Sequence, residues 1–597
     1  MNKLFILFLL TLGFGYCTAQ ASHPGEKGYP FVKNYTASEY KAHAQNFAVA
    51  RDRRGVMYFG NFAGILQYDG EFWQLIPTAN ITRISALASD SSGTIYVGAR
   101  GEIGKLEPDS KGDLHFKSLF EHKEKPPAFL DVFQILITSE GVVFITRNCI
   151  LIYRSGKIET WTSKDEILNG FSCNKMMYLQ LRSQGLVTFK GNETTPVING
   201  ELFSGAIEIK AMLPYGRDGI LIASGTQGLY LLKSDGIKPF TTKADLLFLK
   251  NIISAGAILA DGSYAFGTTR KGIIVLDQAG EITQLIDKKS DLKNENVQSL
   301  FADDNNILWA ALNNGIAMVE LPARLTYFND KSGLNGAVNH IFRFKDRLYV
   351  STYQGLFAYD KSTFSFITIP EIITACWSVG MFKDQLLAAS SQGLFSVSNL
   401  NARLIKEGFV MSLVCSRANP SELFLGEMGG LVCMQNQNSQ WKTNKIVGLP
   451  EEEINDLIED ADGNVWGSTL TRGIFRYSPQ KQSIDFYTKS SGLPETGGTS
   501  INLLNGKLSV ATLKGVFLFD QATSSFKAVN LLKEDSLMAN QWFSMITQTP
   551  EGNLWVTSGD ESHINLLIKQ GQTFQAVSSP FLPIADNVIW AILPEEN

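Results

Sequence analysis

From about residue 45 onward, apolar and polar residues alternate in short runs, and turn residues interrupt the alternation every 8–12 positions or so. A two-residue period puts successive side chains on opposite faces, so each run reads as a short antiparallel strand. Three stretches display a larger unit: Phe47–Asp69, Val297–Glu320 and Ile454–Tyr477. Each opens with an apolar strand and turns through Asp-x-x-Gly or a relative of it. A strand bearing Tyr or Trp follows, then a glycine-containing turn and a third strand. A fourth strand, often with an aromatic, is expected a few residues later, at Phe72-Trp73, Phe328 and Phe486.

The glycine before the third strand marks the repeat. It falls at Gly64, Gly104, Gly185, Gly228, Gly272, Gly315, Gly355, Gly393, Gly430, Gly473 and Gly515, and two repeats lack it, near Cys149 and Ser562. The mean period is about 41.5 residues, and four strands every ~40–45 residues is the pattern of β-propeller blades. Thirteen complete units are visible and a fourteenth begins at Asn587-Val588-Ile589-Trp590. A single propeller closes with roughly 4–8 blades. The sequence therefore predicts an all-β chain of two tandem seven-bladed propellers, residues 27–328 and 329–597, with unequal partitions such as six plus eight as alternatives. The next marker glycine would fall at about residue 604. On that arithmetic the second propeller is truncated in its last blade, holding blades 8–13 plus the first strand of blade 14, and a strand edge would stand open.

Positions that recur in the repeat have structural reasons. The aspartate of Asp52–Gly55, Asp90–Gly93 and Asp460–Gly463 can accept backbone hydrogen bonds in a turn whose glycine takes positive φ. Trp309, Trp466, Trp555, Tyr58 and Tyr96 recur on the second strand, where they are expected to wedge between neighbouring blades.

Composition adds exclusions. With 44% hydrophobic and 19% charged residues the 597-residue chain is neither disordered nor collagenous nor a coiled coil. A balance of 53 basic against 58 acidic residues, net −5, leaves no electrostatic footprint for nucleic acid. At the start, Met1-Asn2-Lys3 precedes the apolar run Leu4–Phe14 and the small residues of Cys17-Thr18-Ala19-Gln20-Ala21. This is the layout of a secretory signal peptide, residues 1–21, and predicts export. Tyr16 is bulky where lipid-attachment signals take a small residue, which argues against a lipid on Cys17. The remaining Cys149, Cys173, Cys376, Cys415 and Cys433 fit no disulfide scaffold or zinc spacing and read as buried free thiols. The six histidines are scattered, and no metal site or cofactor is expected.

Enzymatic motifs were tested and fail. Asp460–Asn464 begins like a calcium loop, but its glycine is misplaced and the twelfth position is Thr471. Gly98–Gly104 is Gly-x-x-Gly-x-x-Gly with no helix after it. Neither a nucleophile elbow, a phosphate-binding loop nor a metalloprotease motif occurs.

The unit Asp460-Ala461-Asp462-Gly463-Asn464-Val465-Trp466 through Arg472-Gly473-Ile474-Phe475-Arg476-Tyr477 resembles the two-component regulator propeller repeat. The opening is similar too: Pro30-Phe31-Val32-Lys33-Asn34-Tyr35, Tyr40, Gln45-Asn46-Phe47, then Arg54–Asn61 and Tyr68-Asp69-Gly70. The likeness covers nearly all of residues 27–597 and weakens near Cys149, Gly185 and Ser562. It implies the periplasmic region of a bacterial sensor with two seven-bladed propellers. In that family a triple-tyrosine β-sandwich follows, then a membrane helix and a cytoplasmic output module, commonly a histidine kinase. The resemblance thus implies membrane tethering and kinase activity only for a longer chain; these residues themselves are expected to be non-enzymatic.

The repeat phase puts the turns between second and third strands on one face with the loops leading into each inner strand. In the second propeller those turns offer Tyr353, Gln392, Glu427, Arg472, Lys514 and Asp560, and the inner-strand loops offer His340, Trp377, Asn455, Trp542 and Trp590. Aromatic faces beside planar hydrogen-bonding groups suit an oligosaccharide or peptide, so Tyr353, Trp377, Gln392, Asn455, Arg472 and Trp542 are the candidate ligand contacts. The leading expectation is a ligand-sensing periplasmic ectodomain, as a homodimer in the full receptor. The alternatives are an exported propeller lyase or hydrolase acting on glycans, and an adhesion or scaffold propeller.

Overall fold

A computed structural model describes residues 26–78, 82–120, 128–323, 325–437, 440–449, 451–497, 499–512, 514–531, 543–558, 563–571, 573–577, 581, 584 and 589–595. The signal-peptide reading falls outside them. Thirteen four-stranded antiparallel sheets follow one another, and the fold is that of tandem β-propellers. Two compact units are formed, Lys27–Lys331 (ring 1) and Ser332–Asn597 (ring 2), and Glu26 belongs with ring 2.

In ring 1 the first sheet runs Asn46–Arg51, Met57–Asn61, Gly64–Tyr68, Trp73–Ile76, from the centre outward. Five more sheets repeat this order. The seventh departs: its strands Val297–Ala302, Ile307–Leu312 and Ile316–Glu320 are joined by Val32–Tyr35 from the N-terminal end. Tyr35 pairs with Ile316 and Val32 with Val319. The fourth strand expected at Phe328 is therefore not there. The ring closes on itself by borrowing its last strand from ahead of its first, so the seventh sheet hydrogen-bonds the N-terminal end of ring 1 to its C-terminal end. Asn46, fully buried, ties the seam, because its Nδ2 donates to the Gly315 carbonyl (3.0 Å) and its Oδ1 accepts from Asn61 Nδ2 (2.8 Å).

Among the described residues ring 2 has six four-stranded sheets. The expected first strand of a further blade falls partly on residues outside the description, and Ile589–Glu595 carry no strand. Arg343, on the inner strand Val338–Phe344, makes a bidentate pair with Glu26 (2.8 and 2.6 Å) and a second ion pair with Glu595. Burial alone would raise the Glu26 pKa, but the Arg343 hydrogen bonds and charge outweigh it and hold the carboxyl below its usual range.

The marker glycine was misplaced in one blade. The second sheet's third strand is Glu102–Pro108, so its turn glycine is Gly101, at φ +70°, and Gly104 lies inside the strand. Gly104 is glycine for another reason: a Cβ there would sit 2.2 Å from the Phe116 ring.

The aspartate turns behave as read. Asp52 Oδ1 accepts from the Arg54 and Val56 amides (2.8 and 3.0 Å), and Asp460 Oδ1 from those of Asp462 and Asn464 (3.0 and 2.9 Å). A feature unseen in the sequence is that the aromatic six residues on closes the same turn. Tyr58 donates to Asp52 Oδ2 at 3.2 Å, Tyr96 to Asp90 Oδ2 at 3.3 Å, and Trp466 Nε1 to Asp460 Oδ2 at 2.8 Å. Each such ring then packs on the following sheet: Tyr58 against Ile84 and Ile95, Tyr96 against Phe144, Trp466 against Leu508 and Val510; Trp309, at the same position of the seventh sheet, packs against Phe59.

Candidate functional site

Backbone bonds fix which loops share a face. In ring 2 the Tyr353 amide donates to the Ala337 carbonyl (3.2 Å), Ser391 to Ala375 (2.9 Å) and Met428 to Phe409 (3.4 Å). Turns between second and third strands are thereby tied to the loops leading into the inner strands, as the repeat phase predicts. Each of these inner strands begins with a β-bulge, where the register slips between Val338 and His340, Cys376 and Ser378, Val410 and Ser412, and Ile454 and Asp456. The extra residue of a bulge is freed from the ladder and can be re-aimed. In the second and fourth sheets of ring 2 it is Trp377 and Asn455, two of the candidate contacts.

Trp377 is the centre of an aromatic ledge. Its ring meets Tyr353 edge-on at 5.1 Å and Phe409 at 5.8 Å, and its Nε1 donates to Ser391 Oγ at 3.1 Å. The indole is half-buried and Tyr353 is 52% exposed, so a π-face is held in position without being covered. Asn339, the bulge residue of the first sheet, donates to the Cys376 carbonyl (2.9 Å) and fixes the backbone next to the indole. Gln392, exposed, extends the ledge with an amide. Lys406, on the outer strand of the second sheet, and Glu427, on the third sheet, form a 2.5 Å ion pair. On the fourth, Glu452 takes Thr471 Oγ1 and Arg472 (3.5 Å), while Glu452 Oε2 is buried without a hydrogen-bond partner. Ile373, Met428 and Leu470 are exposed apolar side chains on the same loops.

Of the six candidate contacts, Tyr353 and Trp377 touch, and Gln392 adjoins them through Ser391. Asn455 and Arg472 are exposed on the fourth sheet's loops, and Trp542 lies outside the described residues, as does Asp560. His340 leaves the group: it sits inside its strand, stacked toward Phe342 at 6.4 Å, with Nδ1 buried and unbonded. Phe409 and Ser391 were missed by sequence. Phe409 carries no turn signal, and only its ring contact with Trp377 brings it into the ledge.

Ring 1 uses the equivalent loops differently. Arg83 pairs with Asp131 (3.0 Å), Arg147 with Glu166 (3.1 Å) and Glu208 (3.8 Å), Arg182 with Glu166, and Lys210 with Glu208. These loops bond charge to charge, and their aromatics are partnered: Phe62, 47% exposed, lies against His43 at 4.7 Å, while Arg83 and Arg147 lie over the rings of Phe47 and Phe133 at 5.2 and 5.6 Å.

Burial pushes His340 down to about 4. The unfolded chain, with an ordinary histidine near 6.5, then binds more protons than the folded one between those values. Stability should fall as pH drops from about 6.5 to about 4 and change no further below, by up to about 3 kcal/mol from this group. Denaturant unfolding at pH 7.5, 6, 5 and 4.5 should show a shallower decline for His340→Gln than for the wild type. Parallel declines would reject the assignment.

The described cysteines are all free thiols; four are buried and Cys415 is half-buried. Burial raises Cys376, and raises Cys415 to about 12 with help from Glu459, so neither is a nucleophile at neutral pH.

No family model matches the sequence. No curated protein matches it. Among solved structures the chain is similar to the extracellular domain of a B. thetaiotaomicron protein described as a hybrid two-component system, at 14% identity and a TM-score of 0.65, over 92% of this chain and 78% of that one. It is also similar to the extracellular domain of a second B. thetaiotaomicron protein, described as a one-component system (17%, TM-score 0.41, 95% and 80% covered). A third is PorZ, a surface component of the type-IX secretion system of Porphyromonas gingivalis (12%, TM-score 0.34, 94% and 84% covered). At these identities the likeness concerns the fold.

Proposed function

We propose that the chain is the periplasmic, ligand-sensing ectodomain of a bacterial two-component signalling receptor, and that an oligosaccharide binds on the ring 2 face at Trp377. What carries the first half of this reading is that the likeness to an extracellular domain of that description runs through both rings, not through a single propeller. The ledge supports the second half. A half-buried indole pinned by Ser391 and Asn339 offers a flat apolar face, and Tyr353, Gln392, Lys406 and Glu427 supply the surrounding hydrogen bonds that a sugar ring requires. Asn455 and Arg472 would reach the far end of a longer ligand. Signal transfer requires that the ligand prefer one of two arrangements of the rings or of a homodimer, since equal affinity shifts nothing. The output module is the kinase-bearing segment that the sequence resemblance implies.

A thermal-shift screen of the purified chain against acidic and neutral oligosaccharides should yield a stabilising member. Trp377→Ala should then weaken that member at least tenfold by calorimetry, equivalent to about 1.4 kcal/mol, with the unfolding midpoint of the free protein nearly unchanged. Mass spectrometry should recover the ligand intact. Binding that survives Trp377→Ala would move the site elsewhere, and cleavage of the ligand would turn the reading into an enzyme.

A further inference from the structure

We infer that ring 1 carries a second, separate binding site, a wedge between its third and fourth sheets that takes a compact apolar molecule bearing an anionic group. The origin of the wedge is legible residue by residue. After the first, second, fourth and seventh sheets of ring 1, the seam to the next sheet is filled by an aromatic from the second strand, Tyr58, Tyr96, Tyr178 or Trp309, each 8% exposed or less, whereas the fifth and sixth sheets hold Leu221 and Ala265 there, both buried. In the third sheet the equivalent register holds Val143, which pairs with Leu136 and Ile152 as Tyr58 pairs with Ala50 and Gln67. An aromatic side chain is thus replaced by one several carbon atoms smaller.

The loops that would roof this seam are short as well. Thr138 pairs directly with Gly141, and Cys173 with Met176, so both hairpins have two-residue loops in place of the Asp-x-x-Gly turn. Asn174 and Lys175 both take positive φ, +49° and +63°, as such a loop demands. The outcome is a cavity of about 500 Å³ at the end of the seam, within the range of small-molecule sites.

Its lining defines the occupant. The floor is apolar and buried: Val143, Ile152 and Phe189. The rim carries Ile137 and Met176, exposed by 38% and 37%, large apolar side chains left without cover. Met176 and Met177 can reshape themselves around a guest. Lys175 and Lys190 also line the cavity, are exposed, and have no carboxylate partner among the described residues. Glu140 is the sole acid among the described lining residues, so the mouth is net positive. An apolar body fills the place of the absent aromatic, and its anionic group meets the two ammonium groups. A neutral apolar molecule would satisfy the floor alone, and a cation would be repelled at the mouth.

The test uses two probes of one shape on the purified chain: 8-anilinonaphthalene-1-sulfonate, which is anionic, and N-phenyl-1-naphthylamine, which is neutral. Saturable fluorescence enhancement by the anionic probe is expected. The double variant Lys175→Glu/Lys190→Glu should weaken it at least tenfold and leave the neutral probe within threefold. Val143→Trp, which rebuilds the wedge, should weaken both probes at least tenfold. Should that variant misfold by far-ultraviolet circular dichroism, Met176→Glu, at an exposed position on the rim, should do the same. Wild-type affinity of both probes in the Val143→Trp or Met176→Glu protein would overturn the site. Equal loss of both probes in the lysine variant would overturn the anionic specificity.

Discussion

Replacing Tyr35 with alanine should destabilise ring 1 by about 3–5 kcal/mol, the range for losing a buried large aromatic, and should open the ring at one seam. Tyr35 is 5% exposed and stands on the strand that completes the seventh sheet. Its ring packs on Trp73 (5.2 Å), Tyr68 (5.3 Å) and Trp309 (6.1 Å), and its hydroxyl donates to the Tyr68 oxygen at 3.2 Å. Three of these groups come from the first and seventh sheets, so the side chain holds together elements that no covalent connection brings near one another. Hydrogen exchange should locate the damage. Amides of Ile316–Glu320, which face Val32–Tyr35, and of Asn46–Arg51 should lose protection first. Protection retained in Ile316–Glu320 at reduced global stability would show that the closing strand is held by other contacts. Calorimetry should leave the ring 2 transition in place.

Trp466→Ala should be as costly for ring 2, about 3–5 kcal/mol. The indole is 1% exposed, lies 4.8 Å from Phe519 and 5.2 Å from Tyr487, and carries the Arg476 guanidinium over its face at 5.4 Å. Its Nε1 also supplies Asp460 Oδ2 with a 2.8 Å hydrogen bond in the turn that precedes the strand. Truncation therefore empties a seam between two sheets and leaves a turn carboxylate short of a donor. Trp466→Phe separates the two effects: it keeps most of the packing, removes the donor, and should cost about 1–2 kcal/mol. A Trp466→Ala cost below about 1 kcal/mol, read from denaturant midpoints at unchanged slope, would mean that the seam collapses around the smaller side chain.

The aspartate turns and the second-strand aromatics were readable because everything they need lies within six residues. A turn that satisfies its own amides recurs wherever its residues recur, and the period of about 41.5 residues follows from such local rules. Reading failed where the reason for a residue was distant. Gly104 looks like a turn glycine but is kept small by Phe116, across the sheet. Phe328 has the spacing of a fourth strand, yet that place is taken by Val32–Tyr35. Among the candidate contacts, Trp377 and Tyr353 were found by their turn positions, whereas Phe409 and Ser391 join them only through packing. His340 was expected at the loop position of Trp377, but the bulge residue of its strand is Asn339, and His340 pairs with Ser351 on the ladder, half-buried.

By itself, then, the sequence determined the strand, the four-stranded unit and the count of units, because each is fixed by alternation and turn chemistry inside one repeat. Only the tertiary structure decided how ring 1 is closed, which aromatics form an open ledge, and where a seam is left unfilled. Those depend on pairings such as Asn46 with Gly315, 269 positions apart. A local pattern constrains which face of a strand is apolar. It does not say which distant strand will cover that face, since every blade offers its neighbours nearly the same surface.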